Sequence, residues 1–520
     1  MGRDGGFMSP AIRTGISAGL LALIVVLLFG SLSGVVLGLL AGAGAAVLLD
    51  SRVEWPNRNA AIVGGVSTGA VAGLLILVGQ FIHDLFLMPL AGQPVATAPG
   101  STLQAGLIAV VLAALAGGVV GAVVTQPERP RQVALLGLLV AFVIIYPFLD
   151  RQISLGWTPT VISVLIYIVL ALGLNIVVGY AGLLDLGYAA FFAIGAYTTG
   201  LLLSPQIGIN WDNPLAFWLV IWIAAAVAGL FGLILGAPTL PLRGDYLAIV
   251  TLGFGEIVPI VFRNLTRVEI KEPFTGACLV GCEKAVNLTG GEAGINPINR
   301  PWLPVVGQFE TGHDLPWYFL IVAIIALTIF LISRLRNSRL GRAWTAMRED
   351  ELAAASMGID IVRTKLLAFA MGATFSGFGG AFFASYISAI FPGVFDFSVS
   401  VIILCMVILG GLGNITGVIL GGLIIMMSDR LFLPQLATLV KNILNTSVLP
   451  NIADPAMKDF ISTSVDPSQF RLLLFGLTLV IMMAVRPEGL IPNVRRRAEF
   501  HEAEAGAETA APAEAKAPAK

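Results

Sequence analysis

The side chains able to do chemistry in this sequence are few, and most are charges set in apolar surroundings. Glu256 stands inside TLGFGEIVPIVF, an otherwise apolar run with Pro259 three residues on. An ionised carboxylate in hydrocarbon is costly, so such a residue must face protein or a water-filled cavity. Two readings are open: a hydrogen bond to backbone freed by Pro259 near the outer end of a span, or a place on a solute pathway. Asp185, in GYAGLLDLGYAAFF, lies between two apolar runs. It either marks their inner boundary or pairs with helix ends near such a pathway. Cys278 and Cys282 share a polar loop and are either a disulfide, if that loop is external, or two free thiols. Cys405, in an apolar run, reads as a packing residue.

Several chemistries are missing from the sequence. No Gly-x-x-x-x-Gly-Lys-Ser/Thr run supplies a phosphate-cradling loop, and no His-Glu-x-x-His supplies a metal helix. The three histidines, His83, His313 and His501, fall at a span end, in a loop and in the tail. The chain therefore reads as no enzyme, with no catalytic residue, no metal and no cofactor of its own. A net charge of −1 says nothing about nucleic acid by itself; the charges are confined to a few loops and both ends, and no nucleic-acid partner is expected.

The elements that must position these charges are helices in lipid. Of 520 residues 57% are hydrophobic and 12% charged, about half the charge of an ordinary soluble domain. A span needs about 20 apolar residues. The run 12–49 is too long for one and bends at Gly30-Ser-Leu-Ser33 into a hairpin, an uncleaved anchor rather than a secretory signal. Further runs fall at 60–86, 102–124, 132–149, 160–178, 186–203, 215–236, 246–262, 317–332, 366–387, 398–409, 416–427 and 472–485. The expected fold is an all-α polytopic bundle of about 12–14 crossings. The range in number comes from the short pair around Gly410-Gly411-Leu-Gly413, which is either two crossings or a re-entrant hairpin.

Charge sets the orientation. Arg52, Arg58, Arg129, Arg131, Arg243 and Arg495–Arg497 alternate with uncharged 88–101, which places both termini on the cytoplasmic side. Small residues recur every fourth position at Gly34/Gly38/Gly42, Gly65/Gly69/Gly73, Gly372/Ser376/Gly380/Ala384 and Gly413/Gly417/Gly421, a pattern for close helix packing. Three regions follow: extra N-terminal spans over 1–131, a core over 132–494, and an Ala/Glu/Pro-rich tail over 495–520 expected to be disordered. The stretch 431–470 reads as a long outer loop.

Between two runs lies a basic island, RLRNSRLGRAWTAMREDELAAASMGIDIVRTK, over 334–365. Its positive charge belongs on the cytoplasmic side. Asp350 can cap a helix, Glu351 suits its dipole, the alanines propagate it and Gly358 stops it. The result is about seven residues of helix, too short to stand unsupported. By itself this fits a solvated loop helix.

REDELAAASMGID also resembles the cytoplasmic coupling segment of ABC-transporter permeases, in the variant of the LivM family, where Glu351 and Ala353-Ala354 are split by Leu352 ahead of Gly358. LNIVVGYAGLLDLGYAAFFAIGAYT, LRGDYLAIVTLGFGEIVPIVFRN, the Asn287–Ile295 stretch and ILGGLGNITGVILGG resemble the same family in order. The resemblance implies a permease subunit of an ATP-driven importer for branched-chain or related amino acids. Relatives serving urea or amides, and an ion-coupled secondary transporter, are the alternatives. It implies partners: a second, LivH-like permease, two cytoplasmic ATPases holding ATP and Mg, and an extracytoplasmic solute-binding protein. The setting is a bacterial or archaeal cytoplasmic membrane. The segment 341–358, with Arg342, Arg348, Glu349, Asp350, Glu351, Ala353, Ala354 and Gly358, is the expected ATPase contact. Asn175, Asp185, Tyr188, Tyr246, Glu256, Gly410, Gly411 and Gly413 are the expected pathway positions. The long 431–470 loop would be a platform for the binding protein.

Overall fold

In the computed structural model the described residues are 58–82, most of 110–123, 128–153, 156–205, 215–239, 245–266, 270–271, 278–280, 287–304, 307–310, 312–448, 471–485 and 489–491. The 12–49 hairpin, the 88–101 loop, the 495–520 tail and Cys282 lie outside them, so the thiol question lies outside them too. Among the described residues eight helices are long and apolar enough to cross a membrane. The only strands among them form two short antiparallel hairpins. The chain is an all-α, multi-pass membrane protein.

In chain order the helices are α1 (Arg58–Ile82), α2 (Glu128–Ile153), α3 (Thr158–Leu174), α4 (Tyr188–Leu203), α5 (Ala216–Thr239), α6 (Asp245–Asn264) and α7 (Asp314–Arg336). Then follow α8 (Arg339–Glu349), α9 (Glu351–Ser356), α10 (Ile361–Ile387), α11 (Phe397–Gly410), α12 (Ile415–Met427), α13 (Leu433–Ile443) and α14 (Arg471–Val485). Two expectations change. The stretch after 431 is helical at its start, a π-helical turn over Ser428–Phe432 running straight on into α13. The basic island holds two helices rather than one.

Two compact units divide the chain, Met1–Trp157 with Asp429–Arg471, and Thr158–Ser428 with Leu472–Lys520. In the first, the glycine stripe of α1 lies against the 110–120 segment. A Cβ at Gly65 would strike the Gly117 carbonyl, and one at Gly69 the Ala113 carbonyl. Only glycine allows that approach.

In the second unit α3 is buried along nearly its whole length. Beside it runs α10, whose small residues admit its neighbours. A Cβ at Gly380 would stand 2.5 Å from the Phe192 carbonyl oxygen of α4, and one at Gly377 2.8 Å from Ala225 of α5. Apolar side chains gain little from leaving lipid for one another, so close backbone packing carries the association. The end of α3 widens into a π-helical turn, Asn175–Tyr180, and α4 starts at Tyr188 after a linker. Helices α11 and α12 have 14 and 13 residues, but the apolar helical stretches that contain them, Pro392–Gly410 and Ile415–Thr446, are 19 and 32 residues and long enough to cross a membrane. They form a tight hairpin in which Gly410 and Gly417 pack backbone to backbone.

Candidate functional site

The residues singled out in the sequence gather in two places. The first is an elbow made by α8 and α9. Ser338 caps α8 by accepting from Gly341 N, and Gly341, Trp344 and Met347 form its buried face. Trp344 Nε1 donates to the Thr364 carbonyl at 2.8 Å, fixing α8 to the first turn of α10. Asp350, in extended conformation, is the joint. Its Oδ1 accepts from Leu352 N and Ala353 N at 2.8 and 3.0 Å, capping α9. Gly358 ends the elbow with φ +86°, and no atom stands within 4 Å of where a Cβ would be. Its requirement for glycine is therefore one of backbone alone.

Six residues of helix cannot hold themselves, and α9 is tied down by an ion pair. Lys365 Nζ of α10 stands 2.5 Å from Glu351 Oε1, with the lysine side chain only 6% exposed. Ala354 is buried beneath α9, whereas Leu352 (69%) and Met357 (84%) stand in the open. Arg342, Glu349, Ala353 and Gly358 are also exposed, with Arg342 Nη1 donating to the Asn337 carbonyl. The elbow thus has a largely buried charged root and an exposed apolar tip.

The second place is the meeting of the π turn with the α11–α12 hairpin. Asn175, fully buried, accepts from Gly413 N at 2.9 Å. A Cβ at Gly179 would strike the Asn175 amide and stand 2.7 Å from Gly413 N. Gly411 (φ +115°) and Gly413 (φ +79°) make the turn. The segment after α14 closes over it, with Leu490 N and Ile491 N donating to the Leu409 and Gly410 carbonyls and Asn414 Nδ2 to Ile491 O. Arg348 joins this place to the elbow. Its Nη1 donates to the Gly179 carbonyl at 2.6 Å, and its stem lies against Gly182, where a Cβ would stand 2.7 Å from Cγ.

The remaining candidates are dispersed. Tyr188 is fully buried and its hydroxyl donates to the Gly372 carbonyl at 2.8 Å, locking the start of α4 to α10. Asp185 is buried in the linker between two spans. Its Oδ1 accepts from Gly187 N, and its Oδ2 has no partner. It borders a cavity of about 10 Å³, at the threshold for one water, with Thr251, Phe254 and Phe369 among the walls. Burial pushes this carboxyl up to about 7, against the opposing pull of the Gly187 N–H. Tyr246 and Glu256 lie on the exposed face of α6. Glu256 falls mid-helix rather than near an end, and accepts no hydrogen bond from the described residues. The reading that tied it to backbone freed by Pro259 is not what the structure has.

Sequence reasoning missed α8, Lys365 and the reach of Arg348 to Gly179. A signal existed for Lys365, a lysine four residues into an apolar helix. None existed for Gly179, whose partner is an arginine far along the chain.

Residues 158–483 match the family model described as branched-chain amino acid transport system / permease component. The chain is 36% identical over 391 residues to the high-affinity branched-chain amino acid transport system permease protein LivM of Escherichia coli K12, covering 71% of this chain and 76% of that protein. It is 26% identical over 359 residues to the probable LivM of Methanocaldococcus jannaschii, covering 63% and 91%. To the permease protein LivH of Salmonella typhimurium it is 26% identical over 297 residues, covering 54% and 87%. No solved structure matches.

Proposed function

Because this chain belongs to the branched-chain amino acid transport permease family, we propose that it is the LivM-type half of an ATP-driven importer carrying leucine, isoleucine, valine or related amino acids. It spans a prokaryotic cytoplasmic membrane with the elbow and both termini inside. A LivH-like permease completes the pore, two ATPases bind ATP and Mg, and an external solute-binding protein delivers the cargo. The relatives' names support the substrate class, and the elbow supports the coupling.

The observation that carries this reading is the elbow's two-sided construction. Leu352 and Met357 offer an apolar tip that water does not favour, while Lys365 and Arg348 root it in α10 and the π turn. Closure of the ATPases would displace α8 and α9 as one body. Their motion would pass to α10 through Trp344 and Lys365, and to the α11–α12 hairpin through Arg348 and Asn175. Packed helices respond to such a push by switching between discrete arrangements.

The test replaces Glu351 and Gly358 and measures ATPase co-purification and solute uptake. Loss of uptake with weakened ATPase capture is the expected result. Unchanged capture and uptake would remove the coupling role.

A further inference from the structure

The face of α6 turned away from the second unit is apolar except at one place. Tyr246 (71% exposed), Ile249 (64%), Ile257 (53%) and Ile260 (50%) fall on it at helical spacing. Glu256 stands among them, exposed. Leu247, Ala248, Thr251, Gly255 and Pro259 form the opposite, buried face. Glu256 is about 17 Å along the axis from Asp245 and about 12 Å from Asn264, close to the middle of the helix. Among the described residues, no other helix of spanning length carries an exposed carboxylate away from its ends.

Lipid is a poor occupant for this face, because a carboxylate at the centre of a bilayer costs several kcal/mol and is kept only where protein or water receives it. Plain apolar faces, such as that of α5 with Leu219, Trp222, Leu230 and Ile234, carry no such group and suit lipid. What meets Glu256 must therefore bring polar partners into an otherwise apolar wall. A second permease supplies them, since a path between two such chains holds water. A zwitterionic amino acid with a hydrocarbon side chain supplies them in passing. Its ammonium group pairs with a carboxylate, and its side chain slides over isoleucines.

We propose that the Tyr246–Ile260 face of α6 lines the translocation path against the second permease, and that Glu256 receives the ammonium group of the amino acid as it crosses. This inference rests on the reading of the chain as an amino-acid permease, and it names the residue that reads the cargo's positive end. The carboxylate acts as a charge, so an amide of the same shape does not replace it and a shorter carboxylate does so in part.

The experiment uses the assembled transporter in liposomes, with the three cysteines replaced. Gly253→Cys puts a thiol on this face where a Cβ meets nothing within 4 Å. Ile257→Cys provides a second position. Each is treated with a charged maleimide and with a lipid-dissolved one, with and without leucine delivered by the binding protein. The expected result is reaction with the charged reagent, slowed at least fivefold by leucine, and loss of that protection in Glu256→Gln. Leucine uptake should fall at least tenfold in Glu256→Gln and less in Glu256→Asp, with ATPase assembly intact. Reaction only with the lipid-dissolved reagent would overturn the proposal. So would cross-linking of these thiols to the first unit of the same chain instead of the second permease, or unaltered uptake in Glu256→Gln. A wild-type transporter that takes up no leucine would instead sink the amino-acid reading, and the charged maleimide would then judge the face by itself.

Discussion

Lys365 and Glu351 form an ion pair at 2.5 Å in which the lysine is nearly buried and the glutamate about a quarter exposed. It joins the long helix α10 to the six-residue helix α9. Removing one partner of a fully buried pair costs about 3–5 kcal/mol, because the other charge is left without compensation. Partial exposure of Glu351 reduces that. Glu351→Gln should therefore cost about 1–2 kcal/mol, and Lys365→Met should cost more than Glu351→Gln only if the lysine's own burial is well compensated now. A double-mutant cycle on transport and thermal stability, with Lys365→Met, Glu351→Gln and both, checks this. A coupling energy near zero would remove the pair from the account.

Asp350 holds the first turn of α9 through Leu352 N and Ala353 N. Asp350→Ala should destabilise that turn by about 1 kcal/mol, roughly a fivefold change in opening. Amide exchange at Leu352 and Ala353 should quicken accordingly, while Asp350→Asn or Asp350→Ser should nearly restore protection. Equal exchange in Asp350→Ala and wild type would show that the cap does not hold the helix.

Gly358 has φ +86° and open space around it. Gly358→Ala should cost about 1–2 kcal/mol through backbone strain, and Gly358→Asn less, since asparagine tolerates left-handed backbone. The ranking Gly, Asn, Ala in uptake is the measurement. Alanine matching glycine would mean that the elbow can end differently.

Asp185 is neutral in the folded chain up to about pH 7, whereas an unfolded aspartate ionises near pH 4. Between those values the folded state binds the extra proton, so stability falls as pH rises from about 4 to about 7 and levels beyond it. Asp185→Asn should flatten that part of the pH profile of thermal stability and raise stability at pH 8. A profile identical to wild type would place the ionisation elsewhere.

Much of this was legible in the sequence, and the limit is physical. Apolar length located α3 to α7, α10 to α12 and α14 within a few residues, because lipid leaves a chain few ways to satisfy its backbone. Asp350 and Gly358 were readable because capping is local. Helix α8 was not, since its apolar face is only Gly341, Trp344 and Met347 amid arginines that suggested a solvated loop. Contacts such as Asn175 with Gly413, or Arg348 with Gly179, join residues more than 150 apart in the chain. No local pattern announces them. Asn175, Gly413 and Arg348 could each be singled out, Gly179 could not, and nothing local says which of them meet.

The most direct measurement is a cross-link from the exposed tip of α9. With Met357→Cys, or Leu352→Cys as a second site, in the assembled transporter, a short thiol cross-linker is applied before and after ATP binding. The account predicts a covalent product with the ATPase subunit in both states, while Arg348→Ala keeps that product and loses uptake. A tip that reacts freely with small water-soluble thiol reagents and never with the ATPase, in either state, would contradict it.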